Sequence, residues 1–423
     1  MSSQESPLES QASSPLRRVN QRHFLKSIIA GLGAPIVFLD RLPSGIIPTA
    51  LAQESEAALT IPEYKRQLTI LSDRPLNAET PAHLLDDLVT PNHLHFVRNN
   101  GHIPDRAQTK ELAGWKLRID GEVNRTRSFT MEALKREFEH REAFITIECA
   151  GNGRAGYYPN ASGNQWTLGA VGCAQYRGIR LGDVLHSLGV KSSAVYIGYY
   201  GEDPHLSRDP AKSPISRGVP IEKALDPNTL LAWEMNGEPL PAEHGFPLRL
   251  ICPGWPGSTC GKWLNRIWVR DQVHDGTKMT GSSYRTPRHP VAPGDTVPES
   301  DMEIITVMPV KSLITFPKTG LKTPQEQSIE IRGQAWSGSG DIDRVDVTFD
   351  FGSTWQPTSL TPAKNRYAWQ RWSTTLQFPK KGYYEIWARA TDKEGKTQPM
   401  IVPGWNPKGY LNNAMHRIAV RAV

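Results

Sequence analysis

The sequence has few of the features that mark several common protein classes. Its 423 residues include only four cysteines, Cys149, Cys173, Cys252 and Cys260, and contain neither a Cys-x-x-Cys nor a Cys-x-x-Cys-His motif. Four cysteines are too few for a disulfide scaffold, and the missing motifs argue against zinc ribbons, thioredoxin-like redox sites and covalently attached haem c. The chemistry of this chain therefore does not depend on several cysteines acting together.

Long apolar runs and blocks of positive charge are also missing. No run of 18 clean apolar residues occurs, which argues against an ordinary membrane-spanning helix. Lysine and arginine outnumber aspartate and glutamate by 49 to 43, but the excess is spread along the chain. Nucleic-acid binding is therefore not indicated, and a diffuse positive charge is equally compatible with an anionic substrate.

The remaining composition is that of a folded chain with many loops. Hydrophobic residues make up 38% and charged residues 22% of the sequence, which is enough for a buried core. At roughly 150 residues per domain, the length predicts two to three domains. The 35 glycines and 34 prolines favour turns and irregular loops over long helices.

The first 52 residues are typical of an export signal. Residues 1–16 are rich in Ser, Gln, Glu and Pro, Arg17-Arg18 follows, and a weakly apolar stretch ends in Ala50-Leu51-Ala52. The segment Phe24–Lys26 resembles the twin-arginine export motif, although the arginine pair lies earlier than in that motif. We therefore expect a periplasmic protein that is exported in the folded state. An amphipathic anchor, or a signal that stays attached, is the alternative.

The rest of the chain divides into three segments by pattern. Residues 53–95 are polar and interrupted by prolines, which predicts a lead-in segment. Residues 96–304 mix short apolar runs with Gly/Pro loops and predict an α+β domain with long loops. In residues 305–423, runs with period two alternate with turn signals and predict a β-sandwich. The clearest helix patterns are 131–140 and 181–188, and the clearest strand patterns are 115–119, 144–148, 194–199, 247–251, 266–270, 328–332, 344–349, 369–377, 383–390 and 417–423.

One stretch has the composition of a reactive site. Cys149 ends a predicted strand and is followed by a Gly151-Asn152-Gly153 turn and Arg154. Backbone N–H groups of such a turn and a nearby guanidinium favour the thiolate form of a cysteine. A thiolate is also a ligand that redox metals prefer. The alternative is a buried cysteine that fills a small core site, as most lone cysteines do.

Four cationic residues lie on other Gly/Pro loops. Arg98, Arg249, Lys262 and Arg288 are each flanked by apolar runs. Guanidinium groups match tetrahedral oxyanions and phosphates, so these side chains could converge on an anion. A lone arginine is otherwise a solvated surface residue, and sequence periodicity does not decide between the two.

The order of these blocks resembles that of the sulfite oxidase family of molybdenum enzymes, from about residue 90 to the C-terminus. Within the family, Pro91–His93, Gly163–Thr167 and Arg270–Gly276 resemble the molybdenum subunit of periplasmic bacterial sulfite or sulfane dehydrogenases. The blocks that carry the family resemblance include Phe96–Asn99, Glu148–Arg154, Met235–Gly237, His244–Arg249, Pro253-Gly254, Lys262–Leu264, Ala335–Gly338 and Trp405-Asn406.

The resemblance implies a fold and a set of residue roles. The fold would be an α+β molybdopterin-binding domain of the sulfite oxidase type, followed by an immunoglobulin-like β-sandwich that forms a homodimer. Cys149 would be the molybdenum ligand, Arg98 and Arg154 would line the oxyanion pocket, and Tyr284 would lie near the reacting oxygen. Molybdopterin would be held by Phe96, Val97, Arg98, Asn99, Asn100, Asp203, His244, Arg249, Cys260, Gly261 and Lys262.

The chain departs from the family pattern at several positions. Asn100 stands where the family often has histidine, and Gly153 stands where an arginine pair is common. Gln370 occupies the place of an arginine that reaches the pocket in relatives, with Arg371 one residue later. We assign Arg371 to the catalytic residues, although a slip of one residue on a strand reverses its face. Cys173, Cys252 and Cys260 are expected to be buried core residues, or to include a disulfide pair.

The implied activity is oxidation of sulfite to sulfate at one molybdopterin-bound molybdenum. This chain has no haem site, so electrons would pass to a separate c-type cytochrome. The same fold could instead act on sulfane sulfur bound to a carrier protein, or reduce S-oxides. A catalytically silent subunit that binds a partner is the alternative from another class.

Overall fold

The computed structural model describes residues 61–423, so the predicted export signal lies outside the described residues. This part of the chain is dominated by short strands, and its helices are few and short. None of its helices is long and apolar enough to cross a membrane. The four α-helices are Asp105–Thr109 (α1), Met131–Glu137 (α2), Leu181–Leu188 (α3) and Ile221–Leu225 (α4).

Residues 61–95 belong to the folded catalytic domain, which corrects the prediction of a lead-in segment. Leu68, Leu76 and Ala78 are buried together with Val97. The polar Glu79 is buried as well, and its carboxylate accepts hydrogen bonds from the backbone and side chain of Thr167. The segment forms the antiparallel strands Thr69–Asp73 (β1) and Leu76–Glu79 (β2), and β2 also pairs with Val97–Arg98 (β3).

The end of this segment ties the catalytic domain to the C-terminal domain. We call residues 82–90 the strap. Leu85 is buried among Leu313, Trp336 and other apolar side chains. The carboxylate of Asp86 accepts a hydrogen bond from Arg332 at 2.8 Å. Trp369 donates its indole N–H to the Leu88 carbonyl at 2.8 Å.

The catalytic domain contains two five-stranded sheets. Both sheets contribute to one hydrophobic core that runs from Phe96 to Val269. One sheet is antiparallel, with the order β11-β10-β7-β6 and β12 paired to β10. Its strands are His140–Glu148 (β6), Val171–Arg180 (β7), Leu230–Met235 (β10), Glu238–Pro239 (β11) and Arg249–Ile251 (β12).

The other sheet has the order β5-β4-β13-β8-β9, in which only the β4–β13 pair is parallel. Its strands are Leu117–Gly121 (β4), Arg127–Phe129 (β5), Tyr196–Gly201 (β8), Gly218–Pro220 (β9) and Leu264–Arg270 (β13).

The two predicted helices are present, and local signals explain where they begin and end. In α3, Leu181, Val184, Leu185 and Leu188 are buried, as their helical spacing predicts. Helix α2 begins after Thr130, whose hydroxyl accepts a hydrogen bond from the Ala133 N–H at 3.2 Å. It ends three residues earlier than predicted, because Phe138 is extended and packs edge-on against Phe129.

The C-terminal domain is a β-sandwich, as predicted. Trp372, Phe378 and Ile386 lie in the core between its sheets. A hairpin of Arg285–Pro287 (β14) and Met302–Ile304 (β15) precedes it. One sheet has the order β16-β18-β22-β21, with strands Lys311–Phe316 (β16), Ile329–Trp336 (β18), Gln370–Leu376 (β22) and Ser359–Leu360 (β21). The other has the order β17-β24-β23-β19-β20, with strands Leu321–Thr323 (β17), His416–Ala422 (β24), Gly382–Asp392 (β23), Ile342–Thr348 (β19) and Gln356–Pro357 (β20).

Candidate active site

Cys149 follows strand β6 directly and lies in the wall of an enclosed cavity. The strand ends at Glu148, and the Cys149 N–H donates to the Ala170 carbonyl at 2.9 Å. The chain then turns back, since the Asn152 N–H donates to the Cys149 carbonyl at 2.9 Å and Gly153 adopts a left-handed φ of 92°. The turn fixes the thiol in the cavity, where 7% of the residue is exposed.

Most of the residues predicted to hold a cofactor line this cavity. It is bounded by residues that lie far apart in sequence and come from several loops. Of the predicted set, Phe96, Arg98, Asn100, Cys149, Asp203, His244, Arg249, Cys260, Lys262 and Tyr284 line it.

The other three predicted cofactor residues lie behind the cavity wall. Val97 is buried and pairs with Ala78 across the β2–β3 ladder. Asn99 accepts a hydrogen bond from the Lys262 ammonium. A side chain at Gly261 would approach the Tyr199 ring to 2.5 Å, so this position keeps Tyr199 in the cavity wall. We therefore infer that these residues support the cavity and do not form its surface.

The cavity carries positive charge that the described residues do not neutralise. Arg98, Arg249 and Lys262 form no ion pair within 4.0 Å in residues 61–423. Burial lowers the pKa of Lys262 well below its usual value. Burial also raises the pKa of Asp203 to about 6, against the effect of Lys262. The Nε atom of Arg249 has no hydrogen-bond partner. Buried cations without a counter-charge are costly, so the cavity fits a ligand that carries negative charge.

The donor set also fits a metal that arrives with an organic cofactor. The described residues contain no group of three or more His, Cys, Asp or Glu that could hold a metal ion. Cys149 would therefore be the protein's contribution, and the other donors would have to come from the cofactor. A phosphate-bearing organic group with sulfur donors would match both the thiol and the cationic walls of the cavity.

A second, more open cavity meets the first at Cys149. Arg98, Asn100, Cys149 and Tyr284 line both cavities. The outer cavity also contains Arg154, Lys278 and Tyr410. This arrangement suits a cofactor on one side of the thiol and a small anion on the other.

Arg154 reaches the outer cavity because its neighbours are small. Its Nε donates to the Lys408 carbonyl at 2.6 Å, and its Nη1 donates to the Asn164 carbonyl at 2.8 Å. Side chains at Gly151 and Gly163 would approach the guanidinium to 2.4 and 2.7 Å. Glycine is therefore required at both positions for the guanidinium to lie where it does.

Tyr284 lies where the two cavities meet, in a strained backbone conformation. Its φ is 53°, which is unusual for a tyrosine. Arg98 Nη2 donates to its hydroxyl at 3.4 Å, and its ring stacks on Tyr410 with centroids 5.6 Å apart. Tyr410 was not singled out by the sequence, because an isolated tyrosine on a C-terminal loop carries no local signal.

Two predicted cations lie outside the site. Arg371 is placed opposite Gln334 on the neighbouring strand, with its Nη2 4.0 Å from Asp86. The prediction that Arg371 belongs to the pocket is therefore wrong. The pairing of β22 with β18 places its side chain beside Asp86 of the strap. The buried Gln370 beside it accepts a hydrogen bond from the Ile342 N–H and does not line the cavities either. Arg288 is half-exposed and lies 3.8 Å from Glu303.

The structure adds Lys65 to the candidate site. It is fully buried and donates to the His95 carbonyl at 2.9 Å. Its Nζ also lies 3.0 Å from His244 Nε2 and 3.4 Å from Glu243. Lys65 therefore supports two histidines of the cavity wall from behind. No signal in the polar 53–95 segment distinguishes it from a surface lysine.

All four cysteines are free and buried. Cys252 and Cys260 are neighbours, with the Cys260 sulfur 3.3 Å from the Cys252 nitrogen, but they are not bonded to each other. Burial raises the pKa of the Cys173 thiol to about 11. The alternative of a disulfide pair is therefore contradicted, and the expectation of buried core cysteines is confirmed.

A buried ion pair connects the Cys149 turn to the sandwich. Lys311, the first residue of β16, lies 2.5 Å from the Glu148 carboxylate. Lys311 also donates to the Asn152 carbonyl at 3.2 Å. Trp336 donates its indole N–H to the other carboxylate oxygen of Glu148 at 2.9 Å. The residues on both sides of Cys149 are thus fixed by the C-terminal domain.

Comparison with known families identifies the two domains. Residues 100–278 match the family model described as an oxidoreductase molybdopterin binding domain. Residues 302–423 match the Mo-co oxidoreductase dimerisation domain. Together with the cavity at Cys149, these matches define a two-domain molybdenum oxidoreductase with a molybdopterin cofactor.

Similar proteins show to which family of molybdenum oxidoreductases the chain belongs. The chain is 34% identical over 364 residues to sulfite oxidase of Gallus gallus, which covers 83% of this chain and 77% of that protein. It is 36% identical over 381 residues to mitochondrial sulfite oxidase of Drosophila melanogaster, but spans only 64% of that protein's length. The chain belongs to the sulfite oxidase family of molybdenum enzymes, which confirms the resemblance seen in the sequence.

A solved structure has the same architecture. The sulfane dehydrogenase SoxCD from Paracoccus pantotrophus matches with a TM-score of 0.70 and 26% identity, and the match covers 92% of this chain and 97% of that chain. The predicted fold, an α+β molybdopterin-binding domain followed by a β-sandwich, is therefore confirmed.

We predict that His274 makes the protein sensitive to acid. Burial lowers its pKa to about 4, with a further contribution from Arg270. Arg270 can only donate, so Nδ1 accepts from it and Nε2–H donates to Ser216 at 2.8 Å. Between pH 6.5 and 4 the unfolded chain binds the proton that the native state excludes, and stability falls by about 3 kcal/mol as the pH drops.

Urea unfolding of the wild type and His274→Gln at pH 7 and pH 4 checks this prediction. The free-energy difference between the two proteins should fall by about 3 kcal/mol at the lower pH, because glutamine does not titrate. A difference that stays constant with pH would contradict the assignment.

Proposed function

We propose that this protein oxidises sulfite to sulfate at one molybdenum bound by molybdopterin and Cys149. The observation that carries the proposal is the position of Cys149 between two cavities, one suited to the cofactor and one lined by cationic side chains. A sulfur oxyanion in the outer cavity would lie beside a metal held by this thiol. When bound, the molybdenum cofactor supplies the two-electron oxidation chemistry.

The residues of the chain would bind and orient the anion. Arg98 and Arg154 would bind sulfite oxygens, because guanidinium forks match oxyanion geometry. Lys278 adds a third positive charge, and its ammonium donates to Asn100 at 2.5 Å. The Tyr284 hydroxyl, held by Arg98, would donate to an oxygen at the place of reaction. The overall change is sulfite plus water to sulfate, two protons and two electrons.

The electrons would leave one at a time to a separate c-type cytochrome. We further propose that the protein is periplasmic, exported by residues 1–52, and that the dimerisation domain forms a homodimer. The sequence pattern supports export and the match of residues 302–423 supports the dimer.

Two measurements on protein recovered from the periplasmic fraction test these proposals. One is a steady-state assay with sulfite and cytochrome c, and the other is elemental analysis. We expect about one molybdenum per chain and reduction of cytochrome c that depends on sulfite. Mo-loaded protein without sulfite turnover would overturn the proposed substrate, and molybdenum-free native protein would favour the silent subunit. Recovery only from the cytosol would contradict export.

The second candidate is sulfane oxidation on a carrier protein. The match to SoxCD over nearly the whole chain favours it, and the outer cavity is open to solvent. Turnover with carrier-bound sulfane sulfur but not with free sulfite would establish this alternative. Reoxidation of the reduced enzyme by an S-oxide would instead identify a reductase.

Arg98→Gln should lower kcat/KM for sulfite by about 10- to 100-fold, because a charged hydrogen bond to the oxyanion is lost. Initial-rate kinetics measure the effect. Arg288→Gln is the matched control, since this half-exposed arginine lies outside both cavities. Equal kcat/KM values for wild type and Arg98→Gln would remove Arg98 from the pocket.

A further inference from the structure

Arg217 is a buried cation that the proposed mechanism does not use. Only 1% of the residue is exposed. Its Nη1 donates to Ser258 Oγ at 2.7 Å, and its Nε has no hydrogen-bond partner. Within residues 61–423 it forms no ion pair with a carboxylate inside 4.0 Å. A buried guanidinium without a carboxylate partner is costly, so ion pairing within the described residues does not explain its burial.

The guanidinium lies against two residues of the cofactor cavity. Ser258 and Tyr284 both line that cavity, and Tyr284 also lines the outer one. The Arg217 guanidinium lies over the Tyr284 ring, 4.6 Å from its centroid. A cation over the face of an aromatic ring is attracted by the negative charge density of that face. Arg217 therefore holds the ring of the residue that stands between the two cavities.

The backbone around Arg217 is fixed from two directions. The Tyr199 N–H donates to the Arg217 carbonyl at 2.8 Å. The neighbouring Ser216 hydroxyl donates to the Tyr199 carbonyl at 2.8 Å, and His274 donates to that hydroxyl. These bonds hold the backbone from which the Arg217 side chain extends, and the bond to Ser258 and the contact with the Tyr284 ring position the guanidinium.

The position of the Tyr284 ring depends on contacts such as the one with Arg217. Its backbone has a left-handed φ of 53°, a conformation that costs free energy for a residue with a side chain. Its hydroxyl is 3.4 Å from Arg98 Nη2, so a small rotation of the ring would break that contact. Stacking on Tyr410 constrains the ring, and Arg217 adds a charged contact to its face.

We propose that Arg217 is a positioning residue for anion binding, which acts through Tyr284 and adds positive charge behind the oxyanion pocket. This inference rests on the proposed function for the identity of the anion. Arg217 fixes the Tyr284 ring beside Arg98, so that phenol and guanidinium face the same oxyanion. Its own charge is buried and weakly screened, so it also raises the affinity of the pocket for anions.

The test compares Arg217→Met and Arg217→Lys in the molybdenum-loaded enzyme. We expect Arg217→Met to raise the KM for sulfite and the Kd for sulfate about tenfold each, with sulfate binding measured by calorimetry. Arg217→Lys should recover most of the affinity because it keeps the charge. The melting temperature of Arg217→Met should not fall, because an uncompensated buried cation is replaced by an apolar side chain of similar length.

A double-mutant cycle with Tyr284→Phe tests the route of action. If Arg217 acts through the phenol, Arg217→Met should change the sulfate Kd much less in the Tyr284→Phe background than in the wild type. The control is Arg332→Met in the sandwich, where the arginine is paired with Asp86. This variant should lower the melting temperature without changing the sulfate Kd.

Two results would overturn the proposal. One is an Arg217→Met enzyme with an unchanged sulfate Kd, and the other is an effect that is fully additive with Tyr284→Phe. The calorimetric measurement does not depend on turnover. The sulfate Kd therefore tests the role of Arg217 even if the enzyme does not oxidise free sulfite. An enzyme that binds sulfate but does not turn over sulfite would contradict the proposed function and not the role of Arg217.

Discussion

Cys149→Ser is expected to abolish sulfite turnover, with a fall in kcat on the order of a thousandfold or more, because a neutral hydroxyl cannot replace a thiolate as ligand to a redox metal. The protein should remain folded, since the change is nearly isosteric and removes none of the backbone bonds that shape the turn. Those bonds join Cys149 to Ala170 and Asn152 through main-chain atoms.

Turnover, molybdenum content and the circular dichroism spectrum of the variant check this expectation. Cys173→Ser provides the matched control, because Cys173 is also buried in the same domain but lines neither cavity. It should keep its activity at a modest cost in stability. Full activity of Cys149→Ser would refute the ligand assignment and with it the proposed site.

Lys311→Met is expected to lower the free energy of unfolding by about 3–5 kcal/mol, because it leaves the Glu148 carboxylate buried without its cation. Only 2% of the Glu148 side chain and 6% of the Lys311 side chain are exposed, so solvent cannot compensate for the loss. Chemical unfolding of the purified variant measures the effect.

The double variant Glu148→Gln/Lys311→Met separates the lost pair from lost packing. Removing both charges should restore most of the stability, because no uncompensated carboxylate remains. The exposed pair Arg344 and Asp343 is the reference, and Arg344→Met should change stability by less than about 1 kcal/mol. A double variant as unstable as Lys311→Met would show that the charges themselves are not responsible.

The sequence predicted the parts of the site that depend on local chemistry. The strand, the glycine turn and Arg154 around Cys149 are adjacent in sequence, so their geometry follows from backbone rules. Convergence of Arg98, Arg249 and Lys262 did not follow from spacing and rested on the family resemblance. The structure brings these three together because their loops meet at one cavity.

The predictions that failed depended on distant contacts. Arg371 and Gln370 are adjacent on a strand, and only the pairing of β22 with β18 decides which of them faces the strap. Residues 61–95 looked like a polar lead-in because their polar side chains are satisfied by partners far away in sequence. Lys65 binds to the His95 carbonyl, 30 positions later, and Glu79 binds to Thr167, 88 positions later, which no local pattern can indicate. Arg217 was missed for the same reason.

The strap has a consequence for the order in which the protein folds. Asp86 contacts Arg332, 246 residues later, and the Leu88 carbonyl accepts its bond from Trp369, 281 residues later. Such long loops close slowly, since their entropy must be lost before the contacts form. The strap can therefore be held in place only after the C-terminal sandwich has been synthesised. In a ribosome-bound chain that lacks the last hundred residues, Asp86 and Leu88 would have neither of these partners, so we expect the strap to dock as one of the last steps of folding.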